Sequence, residues 1–245
     1  MNPLDLIFPR RCLVCHRRLR KAMLCYGCLP PVCFQDTSQR CLQCFSSDFQ
    51  LDAEQRCEAC RRAPTLFNSM RFIWNYDERA KNLIHVLKYA PSFRLCRHAG
   101  GLLSSLLPRL YSELGWDLVV PLPSSAHSLT RRGFNQCAVM AKVLERALPT
   151  AEYRPQALAH PGRNPPQASL RHADRLGNIK AAFRARASVV EGKRILLLDD
   201  VITTGATAQA AGIALLDGGA YSVDLIALAR SSAWQEFRER LYHER

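Results

Sequence analysis

Arg194-Ile195-Leu196-Leu197-Leu198-Asp199-Asp200-Val201-Ile202-Thr203-Thr204-Gly205-Ala206-Thr207 sets the architecture expected of this chain. After the arginine, residues 195–198 are apolar and do not alternate, the pattern of a strand buried on both faces of a parallel sheet. Ala206 to Asp217 reads as the helix that follows, stopped by Gly218-Gly219, and Tyr221 to Ala229 as the next strand. Strand, turn, helix, strand is a crossover unit, so the expected fold class is α/β with a parallel sheet core.

Upstream the same alternation continues. Met70 to Tyr76 reads as a strand, and Glu78 to Tyr89 as a helix whose apolar Leu83, Ile84, Val86 and Leu87 fall near helical spacing, closed by Pro91. A second helix is expected from about Arg94 to Leu114, interrupted near Pro108, then a strand from Trp116 to Pro121. Phe134 to Leu148 carries an apolar face of Val139, Met140, Val143, Leu144 and Leu148. Pro155 to Pro166, rich in Pro, Gly and Asn, reads as the start of a loop.

The carboxyl edge of a parallel strand opens onto the crevice where open α/β sheets hold ligands, and Asp199 and Asp200 stand there. Adjacent carboxylates on a strand end diverge, so they can accept hydrogen bonds from vicinal ribose hydroxyls, directly or through a bound Mg²⁺. Thr203-Thr204-Gly205-Ala206-Thr207 then places small residues and three hydroxyls just before a helix. The helix start offers unpaired N–H groups and a positive dipole, and Gly205 lets the backbone come close to a phosphate. Elsewhere, Val119-Val120-Pro121-Leu122-Pro123-Ser124 ends another core strand, and Arg131-Arg132-Gly133-Phe134-Asn135-Gln136 follows it. Two guanidiniums before a helix start can clamp a diphosphate, with amide donors from Asn135 and Gln136.

Eleven cysteines without an export signal argue for metal or reactive thiols over disulfides. Eight fall before residue 61 as four CxxC pairs, Cys12/Cys15, Cys25/Cys28, Cys41/Cys44 and Cys57/Cys60. Each CxxC presents two thiolates from one turn, and two turns complete a tetrahedral zinc shell, so two structural Zn²⁺ ions are expected. Consecutive and interleaved pairings both fit the spacing. A redox or iron–sulfur role is the alternative chemistry. Composition changes near Ala63-Pro64, which divides the chain into a Cys-rich module, 1–63, and an α/β domain, 64–245.

The formal charge of +13 fits a polyanionic partner, nucleic acid or a small phosphorylated ligand, or serves solubility alone. No run of eighteen apolar residues is present and the first residues lack the order of a secretory signal, so no membrane span and a cytoplasmic location are expected.

Leu197 to Thr207 resembles the phosphoribosyl diphosphate (PRPP) signature of type I phosphoribosyltransferases. That resemblance implies a Rossmann-like phosphoribosyltransferase fold in which Asp199 and Asp200, the catalytic candidates, hold the ribose hydroxyls. It implies that Thr203, Thr204, Gly205, Ala206 and Thr207 hold the 5′-phosphate, and that Pro121, Leu122, Arg131 and Arg132 meet the pyrophosphate, with Mg²⁺ accompanying PRPP. It further implies that Gln167 to Asn178 is a flexible loop closing over the ligand through Arg175 and Asn178. Several purine-salvage members carry a carboxylate where this sequence has Thr203, which cannot act as a general base at neutral pH.

The order of a double CxxC module, Val120-Pro121-Leu122-Pro123, Arg131 to Gln136 and Leu198 to Gly205 resembles the competence protein F (ComF) family from Cys12 to about Arg230. That likeness implies work linked to DNA uptake in natural transformation, with single-stranded DNA and uptake proteins such as a helicase as partners. Transfer of phosphoribose to an acceptor that the motifs do not name is one expectation. The other is a non-catalytic DNA- or partner-binding protein that grips through the zinc module and uses the PRPP pocket as a nucleotide sensor. Oligomeric state is not legible.

Overall fold

The computed structural model describes residues 10–234 apart from 21, 35, 48–49, 90–91 and 161–182, and also residue 236. Its centre is a five-stranded, wholly parallel sheet built from β1 (Met70–Asn75), β2 (Leu118–Pro121), β3 (Glu152–Tyr153), β6 (Arg194–Ile202) and β7 (Ser222–Arg230), in the order β1-β7-β6-β2-β3. A two-stranded antiparallel pair, β4 (Leu158–Ala159) and β5 (Arg184–Ala185), lies apart from it. The helices are α1 (Glu58–Arg62), α2 (Glu78–Tyr89), α3 (Phe93–Leu110), α4 (Ala126–Arg132), α5 (Gln136–Leu144), α6 (Ala187–Val190) and α7 (Ala206–Asp217).

The unbroken apolar run of β6 is explained by cover on both sides. Leu196 and Leu198 enter one apolar cluster with residues of α2, α3 and α5, while Ile195 and Leu197 enter another with residues of α7. Successive strand residues point to opposite faces, so two covered faces demand apolar residues at every position. The first cluster also takes in Cys12, Leu24, Phe34 and Phe45, and the Cys-rich segment meets β1 directly, where Phe45 packs edge-on against Phe72 and Cys33 N donates to Ile73 O at 2.8 Å.

Several elements differ from the sequence reading. The α3 helix continues through Pro108 and ends at Leu110, so the proline, which has no N–H to give Ser104 O, costs one intrahelical bond without interrupting the helix. A short helix, α4, fills what reads as loop. Ser125 caps its start by accepting from Ser128 N at 3.3 Å, and Gly133 ends it at φ +78°, in the left-handed conformation that favours glycine. Arg131 and Arg132 therefore occupy the last turn of one helix just before the next begins. Pro155–Ala157 is a short 3₁₀ turn leading into β4.

Candidate functional site

Strand order determines where a crevice opens. From β2 the chain moves through α4 and α5 to β3 at one edge, whereas from β6 it moves through α7 to β7 on the other side. Since β2 and β6 are neighbours, their following connections part in opposite directions, which makes their carboxyl ends the topological switch point at which open α/β sheets hold ligands. Pro121 pairs with Leu198, and Leu122 N donates to Leu198 O at 2.8 Å, so the end of the β2 motif lies beside Asp199.

The acidic pair lies at this switch point, in the carboxyl-terminal half of β6. Asp199 and Asp200 are 8% and 3% exposed, so each must find partners inside the protein. Asp200 finds two: Lys88 Nζ, from the last turn of α2, lies 2.9 Å from Oδ1, and Gln136 Nε2, at the start of α5, donates to Oδ2 at 2.7 Å. Asp199 Oδ1 accepts Asp200 N at 2.7 Å. Burial, and then the neighbouring Asp200 charge, push Asp199 up to about 7. For Lys88, burial opposes the charge, but Asp200 and Asp199 outweigh it and hold the ammonium above its ordinary value. Cys137, whose Sγ lies 4.0 Å from Asp199 Oδ1, is pushed well up by burial and by both carboxylates, so it stays a thiol and not a nucleophile.

The basic segment connects to the same carboxylate. Arg132 NH1 donates to Gln136 Oε1 at 3.0 Å, completing a chain from Arg132 through Gln136 to Asp200 and Lys88. Arg132 Nε is buried without a hydrogen-bond partner among the described residues. Asn135 Nδ2 donates to Leu122 O at 2.9 Å while its Oδ1 caps α5 by accepting Cys137 N at 2.9 Å, tying the two sequence motifs together. Arg131 is exposed and stacks over Tyr89, 4.4 Å from the ring centroid.

At the β6–α7 junction Gly205, the N-cap residue, adopts φ +77° and has no side chain to cap α7, while Thr204 Oγ1 accepts Ala206 N at 3.4 Å. Thr203, Thr204 and Thr207 are exposed, so the junction presents three threonines to solvent around the start of α7. Arg175 and Asn178 lie outside the described residues.

The cysteines form two groups, Cys12, Cys15, Cys25 and Cys28, and Cys41, Cys44, Cys57 and Cys60, with the four sulfurs of each within 4.8 Å of one another. Pairing is thus consecutive. Both groups repeat one backbone design. Cys25 N points at Cys12 Sγ at 3.4 Å and Cys57 N at Cys41 Sγ at 3.3 Å. His16 and Phe45, each following the second cysteine of a pair, take positive φ of 59° and 62°. Sulfur separations of 3.6 Å for Cys15 and Cys25 and 3.7 Å for Cys44 and Cys57 fit a tetrahedral zinc with bonds of about 2.3 Å, whose sulfurs lie about 3.8 Å apart. Each group can hold a metal ion, and all-sulfur tetrahedral donors are consistent with zinc.

Lys88 was not among the sequence candidates; its only signal is one basic residue ending an amphipathic helix. Trp234, which lies against Gly205, carried no signal at all, since it follows the last strand.

A wholly parallel α/β core, with an acidic pair and a glycine turn at the carboxyl side of its central strand, defines the class: an open-sheet α/β fold joined to a cysteine-rich N-terminal segment whose two tetracysteine groups could each hold a metal ion. Within that class the chain is similar to proteins named for competence and for DNA utilization. It is 29% identical to Competence protein F of Haemophilus influenzae over 233 residues, 91% of this chain and 98% of that protein. It is 28% identical to the DNA utilization protein YhgH of Escherichia coli over 180 residues, 71% of this chain and 78% of that one. Among solved structures, orotate phosphoribosyltransferase of Mycobacterium tuberculosis is similar at 16% identity with a TM-score of 0.37, over 63% of this chain and 73% of that one. No family model matches the chain. Among the described residues, no helix is long and apolar enough to cross a membrane.

Proposed function

We propose that this protein binds PRPP in the crevice between β2 and β6 and acts in the handling of imported DNA, as its competence-named relatives suggest. One observation carries the reading: the buried acidic pair of β6 lies just before a turn in which Gly205 takes a positive φ, and Thr203, Thr204 and Thr207 face solvent around the start of α7. On this reading the turn of residues 203–207 takes the 5′-phosphate, Asp199 and Asp200 lie under the ribose, and Arg131 and Arg132 face the pyrophosphate. Asp200 spends both oxygens on Lys88 and Gln136, so Asp199 is the better placed acceptor for a ribose hydroxyl.

This donor set fits a Mg²⁺ held chiefly by the ligand's own oxygens, because Lys88 already neutralises Asp200. When bound, Mg²⁺ would neutralise the departing pyrophosphate. Transfer would break the bond between C1′ and the pyrophosphate oxygen and form one from C1′ to a nucleophilic acceptor. The acceptor's proton must leave through a group other than Thr203. The test is calorimetry of the full chain with PRPP and Mg²⁺, followed by a screen of bases for pyrophosphate release. Heat of binding that Thr204→Val reduces supports the reading; absence of binding by the unaltered protein overturns it.

A second reading, nucleic-acid binding without catalysis, is favoured by the surface beside the crevice. Tyr89 and Phe93 are 48% and 53% exposed, Arg131 stacks on Tyr89, and Phe134 meets Phe93 edge-on. Exposed aromatics among arginines suit the stacked bases and backbone of a single strand. Under this reading DNA affinity falls steeply with salt and no acceptor releases pyrophosphate from PRPP.

A further inference from the structure

Gly205 is a loop glycine, yet it is buried. The reason is Trp234: a Cβ on Gly205 would lie 2.1 Å from Cζ3 and 2.6 Å from Cε3 of its indole. The ring is 1% exposed and joins the apolar cluster that contains Ile202 and Ala208, residues that flank the turn. The chain reaches this position by folding back directly after β7. Ser231 N donates to Ile202 O at 2.9 Å, and Trp234 N to Ser231 O at 3.3 Å. The indole therefore backs the turn from the core side, while Thr203, Thr204 and Thr207 face solvent on the other.

A glycine at positive φ is the residue least able to hold its own conformation, and an anion cradle works only when its N–H groups are already aimed. A flat ring filling the place of the absent side chain restricts the turn without closing its open face. We infer that Trp234 is a positioning residue for the residue 203–207 turn, so that phosphate occupancy and the packing of the segment after β7 are coupled. This inference rests on the reading of that turn as a phosphate cradle.

The experiment uses the full chain labelled with 5-fluorotryptophan, titrated with ribose 5-phosphate and followed by fluorine NMR and calorimetry. The three tryptophans, Trp74, Trp116 and Trp234, are assigned by single replacements with phenylalanine. The Trp234 resonance is expected to move in step with the binding heat, while Trp116, which precedes β2 at the far end of the sheet, stays in place. Trp234→Ala is expected to weaken ribose 5-phosphate by at least about tenfold, as loss of alignment in a binding turn does, and Trp234→Phe to restore most of it. Leu103→Ala, which empties a buried site on the opposite face of the sheet, should leave that affinity unchanged. A stationary Trp234 resonance during measurable binding overturns the inference alone, as does equal weakening by Leu103→Ala. If the unaltered protein gives no heat with ribose 5-phosphate, the phosphate reading and the inference fall together.

Discussion

Lys88 and Asp200 are 112 positions apart in sequence and 2.9 Å apart in space, and theirs is the ion pair at the centre of the candidate site. Their side chains are 23% and 4% exposed, so neither charge is fully hydrated. Removing one partner leaves the other charge buried without compensation. Lys88→Met is therefore expected to destabilise the fold by about 3 kcal/mol, measured by urea unfolding. Lys88→Met with Asp200→Asn should cost less than the sum of the two single changes, because no charge is then stranded. Additive losses would show that the pair is not coupled.

Asp199 gives the site a pH signature. Burial and then Asp200 raise it to about 7, against an unfolded value of roughly 3.9. Between those values the folded protein holds a proton that the unfolded chain has released. Stability from this group is thus present at low pH and lost as pH rises toward 7, the reverse of the usual carboxylate. Compared with Asp199→Asn, the natural protein should lose about 2–4 kcal/mol between pH 4 and 8, read from urea midpoints in both backgrounds. Parallel pH profiles would mean that Asp199 ionises normally.

The acidic pair and the threonine turn were legible because a strand end, two carboxylates and a glycine turn are contiguous, and local chemistry survives in a one-dimensional reading. Lys88 was not, since a lysine in the last turn of a helix reads equally well as a partner of the helix dipole. Cysteine spacing allowed two pairings, and only the folded turns, with Cys25 N on Cys12 Sγ and Cys57 N on Cys41 Sγ, separate them. The α4 helix was hidden because seven residues without a single buried side chain show no apolar period.

Two neighbouring glycines of α3 should respond with opposite signs. A Cβ on Gly100 would lie 3.0 Å from Met140 O and from Val143 Cβ of α5, so this glycine lets the two helices approach. Gly101 is exposed and a Cβ there meets nothing within 4 Å. Gly101→Ala should stabilise by up to about 1 kcal/mol through helix propensity, and Gly100→Ala should destabilise by about 1–3 kcal/mol through overpacking. Thermal midpoints that move in the same direction would refute the α3–α5 contact.

Gly205→Ala should be costlier than either. The new methyl would meet the Trp234 ring at 2.1 Å in a backbone conformation, φ +77°, that alanine adopts poorly. Strain of about 1–2 kcal/mol from the left-handed backbone adds to the displacement of a buried indole, giving an expected loss of about 2–4 kcal/mol. Red-shifted tryptophan emission should accompany it as the ring moves toward water. An unchanged spectrum and midpoint would contradict the packing.

The two cysteine groups should release metal at different rates. In the first, Cys15 is exposed and Cys25 and Cys28 are only partly covered, so a chelator can reach the ion while the fold stays intact. In the second, Cys41, Cys44, Cys57 and Cys60 are all buried, and access requires local unfolding. Elemental analysis is expected to give two zinc ions per chain, and a colorimetric chelator to withdraw them in two phases of equal amplitude. Cys15→Ser should abolish the fast phase and leave the slow one, whereas Cys44→Ser should lower the thermal midpoint more, because metal binding there supports packing as well as the local turn. Release in a single phase would show that burial does not control access to the two sites.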